Sequence, residues 1–127
     1  MIVVVDASVI VDALLGVEGL VARLRTAELH APVTIDAEFL HGVRRKWIAR
    51  YFDAKEAGAL IALFKSVPIT RHPVVGLVDR MWSLRNNITA YDAGYVALAE
   101  SLGVPLLTRD RRLSNASGHA ARIEYID

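Results

Sequence analysis

The chain of 127 residues is long enough to bury a sizeable core, and its content of 54% hydrophobic and 23% charged residues excludes a disordered protein. Its 15 Lys and Arg residues against 14 Asp and Glu residues give a formal net charge of +1, which excludes attraction to nucleic acid through bulk charge. The chain has no cysteine, and therefore neither a disulfide framework nor a thiolate metal site. The length predicts one domain over residues 1–127. No apolar run approaches the roughly 20 residues of a membrane helix, and we expect the protein in the cytoplasm.

The first predicted element is a strand over Ile2–Val5, an unbroken apolar run typical of a central parallel strand buried on both faces. The strand ends at a carboxylate, Asp6. Ser8 then opens an apolar segment that is typical of a short helix and ends at Gly16. Because the ligands of open α/β sheets bind outside the carboxyl ends of the strands, we expect Asp6 to lie at such a site.

The next predicted elements are a helix within residues 18–28, a short strand at 29–31 and a longer helix that begins near Thr34. We expect the longer helix to bury an apolar stripe and to leave Glu38 outside it. This stripe consists of Leu40, Val43, Trp47 and Tyr51. A second amphipathic helix, over residues 54–65, would complete a helical hairpin. Its buried face would consist of Ala57, Leu60, Ile61 and Phe64.

The last third of the chain continues the alternation of strands and helices. The predicted elements are a strand at 67–72, a helix at 74–85, a helix from Thr89 to a terminating Gly103, a strand at 104–108, a short helix from Arg111 and an edge strand at 123–126. The buried face predicted for the helix at 74–85 consists of Val75, Val78, Met81 and Trp82. Alternating strands and helices indicate an α/β fold with an open, mainly parallel sheet of about five strands and helices on both faces.

Four acidic residues stand where such a fold would bring them together. Asp6 and Asp110 follow predicted strands, and Glu38 and Asp92 lie in the first turns of predicted helices. If the first and fourth strands are neighbours, the four carboxylates converge at one edge of the sheet. Each acid alone also has a structural explanation. Asp6 and Asp110 can cap the helices that follow them, Asp92 can pair with Thr89 in a capping box, and Glu38 can be a solvated helix residue.

The combination of four carboxylates favours a chemical role. Clustered carboxylates repel one another unless a cation compensates their charge, and an oxygen-rich cluster without cysteine suits a hard ion such as Mg²⁺ or Mn²⁺. Such an ion, held by few protein ligands, can activate a water molecule and neutralise charge that develops on a phosphodiester. The residues therefore predict metal-dependent phosphoryl hydrolysis.

Four segments carry a resemblance to a known family, namely VVDASVIVDALLG, IDAEFLHGVRRK, TAYDAGYVALAE and LLTRDRRL. In this order they resemble the acidic blocks of the PIN-domain ribonucleases, and in particular the VapC toxins of bacterial VapBC toxin–antitoxin pairs. The catalytic and metal-binding residues that the resemblance implies are Asp6, Glu38, Asp92 and Asp110, with Ser8 and Thr108 as supporting hydroxyls. It also implies a single PIN-like domain, Mg²⁺- or Mn²⁺-dependent endonucleolytic cleavage of RNA (tRNA, rRNA or mRNA), a homodimer, and inhibition by a cognate antitoxin.

Several other polar residues have two interpretations each. Arg111 and Arg112 flank a proposed metal ligand, and they either contact RNA phosphates or belong to the solvated surface. Asp12 either faces a partner or forms a local ion pair, and His41 either lies on a polar face or touches substrate or metal. Residues 50–87 carry no family motif, and we assign them to core and dimer packing only.

The alternative function is a catalytically silent PIN-like module that binds protein or RNA, and the intact set of acids weighs against it. A receiver-like signalling domain also gathers acids around Mg²⁺, but it resembles a pattern with two adjacent acids after the first strand and a lysine after the last. Here Ala7 follows Asp6, and no lysine occurs after Lys65. The nuclease is therefore the favoured interpretation.

Overall fold

Strands and helices alternate along the chain in the computed structural model, which describes residues 1–127. The strands are β1 (Ile2–Val5), β2 (Glu28–Pro32), β3 (Ile69–His72), β4 (Leu106–Thr108) and β5 (Ile123–Tyr125). The helices are α1 (Ala7–Leu14), α2 (Leu20–Arg25), α3 (Ile35–Ile48), α4 (Ala54–Ser66), α5 (Val78–Ser83), α6 (Ala90–Leu102) and α7 (Arg111–Ser114), with a 3-10 turn over Val75–Leu77 before α5.

The five strands form one open sheet in the order β3-β2-β1-β4-β5, and every neighbouring pair is parallel. The centre of the sheet is β1, which pairs with β2 on one edge and with β4 on the other. Its residues Val3, Val4 and Val5 have no exposed surface, as the unbroken apolar run predicts. The predicted class, an α/β fold with a parallel sheet of five strands, is confirmed.

The helices form two groups around this sheet. Helix α1 contacts α2, α3 and α4, whereas α6 contacts α5, β1 and β2. The chain moves from β1 through β2 to β3 in one direction and then returns to β4 on the other side of β1. Right-handed crossovers therefore place the two groups on opposite faces of the sheet. The reversal opens a crevice between the carboxyl ends of β1 and β4, where α/β proteins bind their ligands.

One cluster of 21 buried apolar residues joins the sheet to its helices. Within it, the ring of Phe39 on α3 stacks on the ring of Phe64 on α4, with centroids 3.9 Å apart and planes inclined by 7°. This contact closes the helical hairpin that the sequence predicts. None of the helices combines the length and the apolar content that crossing a bilayer would require.

The buried face of α3 differs from the predicted stripe. Ile35, Phe39 and Val43 are buried. The predicted members that lie exposed instead are Leu40, Trp47 and Tyr51, at 48%, 49% and 73% exposure. The helix carries apolar residues on two faces, and α1 covers one of them so closely that a Cβ at Gly42 would lie 3.2 Å from Cγ2 of Val11. Burial on α3 is therefore decided by where α1 packs, which periodicity cannot specify.

The segment predicted as one helix over residues 74–85 is a 3-10 turn followed by the short helix α5. Its buried face was also predicted wrongly in part, because Val75, Val78 and Trp82 are 77%, 48% and 69% exposed. Met81 does pack inward, with its Cε 3.7 Å from the position that a Cβ of Gly94 on α6 would take. Met81 thus packs against α6 at Gly94, while the two valines and Trp82 lie on the exposed side of this segment.

Candidate active site

Asp6 lies at the carboxyl end of β1 and caps the N-terminus of α1. Its Oδ1 atom accepts hydrogen bonds from the backbone N–H groups of Ser8 at 2.8 Å and Val9 at 3.4 Å. The side chain is almost fully buried, with 5% of the residue exposed. Burial raises the pKa of the Asp6 carboxyl, and hydrogen bonds from the hydroxyls of Ser8 and Thr108 oppose this rise. Asp6 is thus both a helix cap and a buried carboxylate at a strand end.

Two hydroxyl groups connect Asp6 to the loop that follows β4. The Thr108 hydroxyl donates to Oδ2 of Asp6 and accepts a hydrogen bond from the backbone N–H of Asp110 at 2.9 Å. The Ser8 hydroxyl donates to Oδ1 of Asp6 and accepts one from the backbone N–H of Arg109 at 3.1 Å. Since β1 and β4 are direct neighbours, both hydroxyls span the crevice between their carboxyl ends. The two predicted supporting residues therefore contact Asp6 directly.

Asp110 and Asp92 approach the crevice from two helix N-termini. Asp110 caps α7, where its Oδ1 accepts from the backbone N–H of Arg112 at 2.9 Å and its Oδ2 lies 3.6 Å from Nη2 of that arginine. Asp92 lies in the first turn of α6, and its backbone N–H donates to the hydroxyl of Thr89 at 3.2 Å. Burial and the charge of Asp110 raise the pKa of Asp92, and the charge of Arg112 opposes this rise.

Glu38 reaches the same crevice from the first turn of α3. Its Oε2 atom is buried and has no hydrogen-bond partner. Burial and the charges of Asp92 and Asp6 raise the pKa of the Glu38 carboxyl, although the hydroxyl of Tyr95 opposes this rise. A buried carboxylate oxygen without a partner costs free energy unless a proton or a cation satisfies it. Glu38 is therefore not a solvated helix residue, which was its structural explanation from the sequence.

Tyr95 was not among the predicted site residues. It is 1% exposed, and its hydroxyl is buried without a well-formed hydrogen bond. Burial and the charge of Glu38 raise the pKa of this hydroxyl, so it is neutral at physiological pH. Its position three residues after Asp92 places both side chains on one side of α6, which is the sequence signal that would have identified it.

All four predicted acids line one cleft of about 450 Å³. Asp12 lines it too, but its Oδ2 lies 2.6 Å from Nε of Arg109, so the local ion pair is the interpretation that the structure shows. His41 lies in the same cleft, one turn after Glu38. The two predicted arginines differ in position. Arg112 lies beside Asp110, whereas the guanidinium of Arg111 lies over the Tyr125 ring, 4.1 Å from its centroid.

The donor set of this cleft fits a hard divalent cation. The four acids offer carboxylate oxygens, the charges of neighbouring acids raise the pKa values of Glu38 and Asp92, and Oε2 of Glu38 makes no well-formed hydrogen bond. In the arrangement that the structure shows, no three Asp, Glu or His side chains are placed to share one ion. The fit therefore rests on donor chemistry and charge, and the carboxylates are not yet gathered into a closed ligand set.

This fold, with carboxylates at the crevice of a parallel sheet, defines a known class of domain. The PIN domain model matches residues 3–118, and the chain belongs to the PIN-domain family. Among its curated relatives, ribonuclease VapC9 of Mycobacterium tuberculosis is 43% identical over 114 residues, which cover 89% of each chain. Ribonuclease VapC12 of the same organism is 37% identical over 127 residues, which cover 98% of each chain.

Solved structures show the same fold. VapBC2 from Rickettsia felis, crystallised bound to a DNA fragment from its promoter, superposes with a TM-score of 0.73 at 14% identity and covers 100% of both chains. PAE2754 from Pyrobaculum aerophilum superposes with a TM-score of 0.64 at 25% identity, covering 90% of this chain and 86% of the other. The resemblance drawn from the four acidic segments is confirmed at the level of the family.

Proposed function

We propose that this protein is a metal-dependent endoribonuclease and the toxin of a type II toxin–antitoxin pair. The observation that carries the proposal is the set of four carboxylates that line one cleft, of which only Asp110 is paired with a cation, Arg112. Relatives at 37–43% identity that are named VapC ribonucleases support RNA as the substrate. Its proposed site of action is the cytoplasm, where the substrate would be tRNA, rRNA or mRNA.

The residues that would hold Mg²⁺ or Mn²⁺ are Asp6, Glu38, Asp92 and Asp110. When bound, the ion would supply an activated water molecule and neutralise charge at the scissile phosphodiester. The hydroxyls of Ser8 and Thr108 fix the Asp6 carboxylate through hydrogen bonds to both of its oxygens.

Arg112 is the cation best placed to orient the substrate. It is exposed at the rim of the cleft, beside Asp110, and it also lines an adjoining depression with Arg85 and Asn87. A guanidinium in this position can donate two hydrogen bonds to one RNA phosphate. Arg111 is held over Tyr125, so we assign it a smaller part in RNA contact.

We also propose a cognate antitoxin and a second copy of the chain as protein partners. The exposed apolar side chains of Val75, Val78 and Trp82 form a surface that is typical of protein–protein contacts and that we assign to the homodimer. The antitoxin is implied by the VapC relatives. Light scattering of the purified protein tests the dimer, and Trp82→Ala should convert it to a monomer.

The decisive experiment incubates purified protein, freed of any antitoxin, with total bacterial RNA in Mg²⁺, in Mn²⁺ and in chelator. Asp6→Asn and Asp92→Asn serve as site variants, and Glu18→Gln, which removes an exposed acid that lines neither the cleft nor the proposed dimer surface, serves as the control. We expect discrete fragments that depend on metal, persist in the control and disappear in both site variants. Intact RNA together with no Mg²⁺ or Mn²⁺ binding by calorimetry would contradict the nuclease and support the binding module instead.

A further inference from the structure

The cleft that holds the acids continues along α3 for two further helical turns. Its lining residues on this helix, and just beyond it, are Glu38, His41, Gly42, Arg45, Lys46, Ala49 and Tyr51. At about 1.5 Å per residue, Lys46 lies roughly 12 Å along the axis from Glu38. That distance is the length of about three or four stacked nucleotides at roughly 3.4 Å each. The cleft is therefore longer than a site for one phosphodiester requires.

The cations at this end of the cleft are free of carboxylate partners. Arg45 and Lys46 line the cleft, Arg50 lines the neighbouring depression beside Tyr51, and none of the three forms an ion pair. By contrast, Arg80 and Arg109 are each paired with a carboxylate at 2.8 Å or less. Unpaired cations beside a cleft remain available to an anionic ligand. On α3 this positive charge thus lies about two helical turns from Glu38.

An aromatic ring accompanies these cations. Tyr51 is 73% exposed, and Nζ of Lys46 lies over its ring, 4.9 Å from the centroid. The cation–π contact restrains both side chains and leaves most of the ring surface open to solvent. A large exposed ring held beside unpaired cations has the composition of a single-stranded nucleic-acid site, in which bases stack on aromatic rings while cations follow the backbone.

The turn that positions Tyr51 is strained. Arg50 has a φ of 64°, the left-handed conformation that glycine usually supplies after a helix. The N–H of Arg50 donates to the carbonyl of Trp47 and the N–H of Tyr51 to that of Lys46, both at 3.0 Å, which forms a Schellman motif. An arginine that occupies a position favouring glycine costs free energy, and such strain is typical of functional positions. The preference of a helix C-terminus for cations does not explain it.

We propose that Arg45, Lys46, Arg50 and Tyr51, here called the α3 patch, bind the RNA strand on one side of the scissile phosphate. The cations contact phosphates a few nucleotides from the acids, and one unpaired base stacks on Tyr51. The α3 patch thereby requires single-stranded character next to the cleavage position. This inference rests on the proposed ribonuclease function and assigns a substrate subsite to it.

The test measures binding apart from cleavage. A fluorescein-labelled single-stranded RNA of about 12 nucleotides, within the range that single-strand sites cover, is titrated with full-length protein in chelator and followed by anisotropy. Tyr51→Ala should weaken binding about 10-fold, as expected for one lost base stack, and Tyr51→Phe should restore it. The logarithm of the RNA association constant falls linearly with the logarithm of the salt concentration. Lys46→Ala should lower the magnitude of this slope by about 0.7, the value for one lost phosphate contact to a single strand. Lys65→Ala, an exposed lysine on α4, is the charge-matched control and should change neither quantity.

The outcomes separate the α3 patch from the nuclease. If wild-type protein cuts RNA but the patch variants bind RNA like Lys65→Ala, the RNA-binding role of the α3 patch is wrong and the ribonuclease function is supported. If the variants lose RNA affinity but wild-type protein cuts no RNA, the RNA contact of the α3 patch is supported, and its place beside a scissile phosphate is wrong together with the nuclease. No RNA binding by wild-type protein would overturn the proposal. So would a Tyr51→Ala variant that keeps its RNA affinity and changes its oligomeric state, since the ring would then be a contact between protein chains.

Discussion

Thr108 has no exposed surface, and its hydroxyl both donates to Asp6 and accepts from the backbone N–H of Asp110. Thr108→Val keeps the shape of the side chain but leaves a buried N–H and a carboxylate oxygen without this partner. We expect the free energy of unfolding to fall by about 1–3 kcal/mol, and RNA cleavage to fall with it because Asp6 is no longer held. Urea denaturation in chelator measures the first effect.

Thr108→Ser is the control for this prediction, because it removes the methyl group and keeps the hydroxyl. Its cost should be about 0.8 kcal/mol, the value for one buried carbon, with most of the cleavage activity retained. A valine variant as stable as the serine variant would show that the hydroxyl bridge between Asp6 and the β4 loop contributes nothing.

Arg50 offers a second test on a single residue. Because its φ is 64°, Arg50→Gly removes a steric penalty that outweighs the added entropy of glycine in the unfolded chain. We expect a gain of about 0.5–1 kcal/mol in the free energy of unfolding, measured by urea denaturation. Arg50→Ala keeps the steric penalty and should not raise the free energy of unfolding. Equal stability of the glycine and alanine variants would therefore contradict backbone strain at this residue.

Among the secondary-structure elements, α3 shows what the sequence could and could not predict. Its position was predictable from apolar periodicity, and so was Glu38 in its first turn. Its buried face was not, because apolar residues occur on two faces and α1 selects the one with Phe39. By contrast, β1 and α6 were predicted well, since a four-residue apolar run and a Thr cap paired with a terminal glycine each have one interpretation.

The two faces of α3 should respond differently to truncation. Phe39 is fully buried and stacked on Phe64, so Phe39→Ala should cost about 3–5 kcal/mol of stability. Trp47 is half exposed, so Trp47→Ala should cost less than about 1 kcal/mol although it removes the larger side chain. Thermal melts of the two variants compare them directly. A greater loss in the tryptophan variant would mean that the predicted stripe, not the observed one, is buried in solution.

Across the whole molecule, the clustered acids couple stability to pH. Asp6, Glu38 and Asp92 each have a pKa raised above the ordinary value. Between the ordinary and the raised pKa the folded protein therefore binds more protons than the unfolded chain, and stability falls as the pH rises through this window. The destabilisation is complete above the raised values and absent well below the ordinary ones, at about pH 3, where the acids are protonated in both states. A divalent cation would offset it.

Asp92→Asn should therefore be more stable than wild-type protein in chelator at neutral pH, by about 2–4 °C in Tm, since Asp92 is half-buried and its charge is screened by solvent. This difference should shrink towards zero as the pH falls to about 3. Mg²⁺ should raise the Tm of wild-type protein more than that of the variant. Scanning calorimetry across pH measures all three, with Glu18→Gln as the control. A variant less stable than wild type in chelator would make Asp92 a structural cap and contradict the metal site.

The contact between Asp6 and Thr108 joins residues 102 positions apart in the chain, and β1 gains its β4 neighbour through the same long-range closure. During synthesis from the N-terminus, Asp6, Glu38 and Asp92 all emerge before the strand that completes their surroundings. A nascent chain from which β4 has not yet emerged therefore carries no assembled site. The topology delays the proposed activity until β4 has paired with β1 and Asp110 has followed it into place.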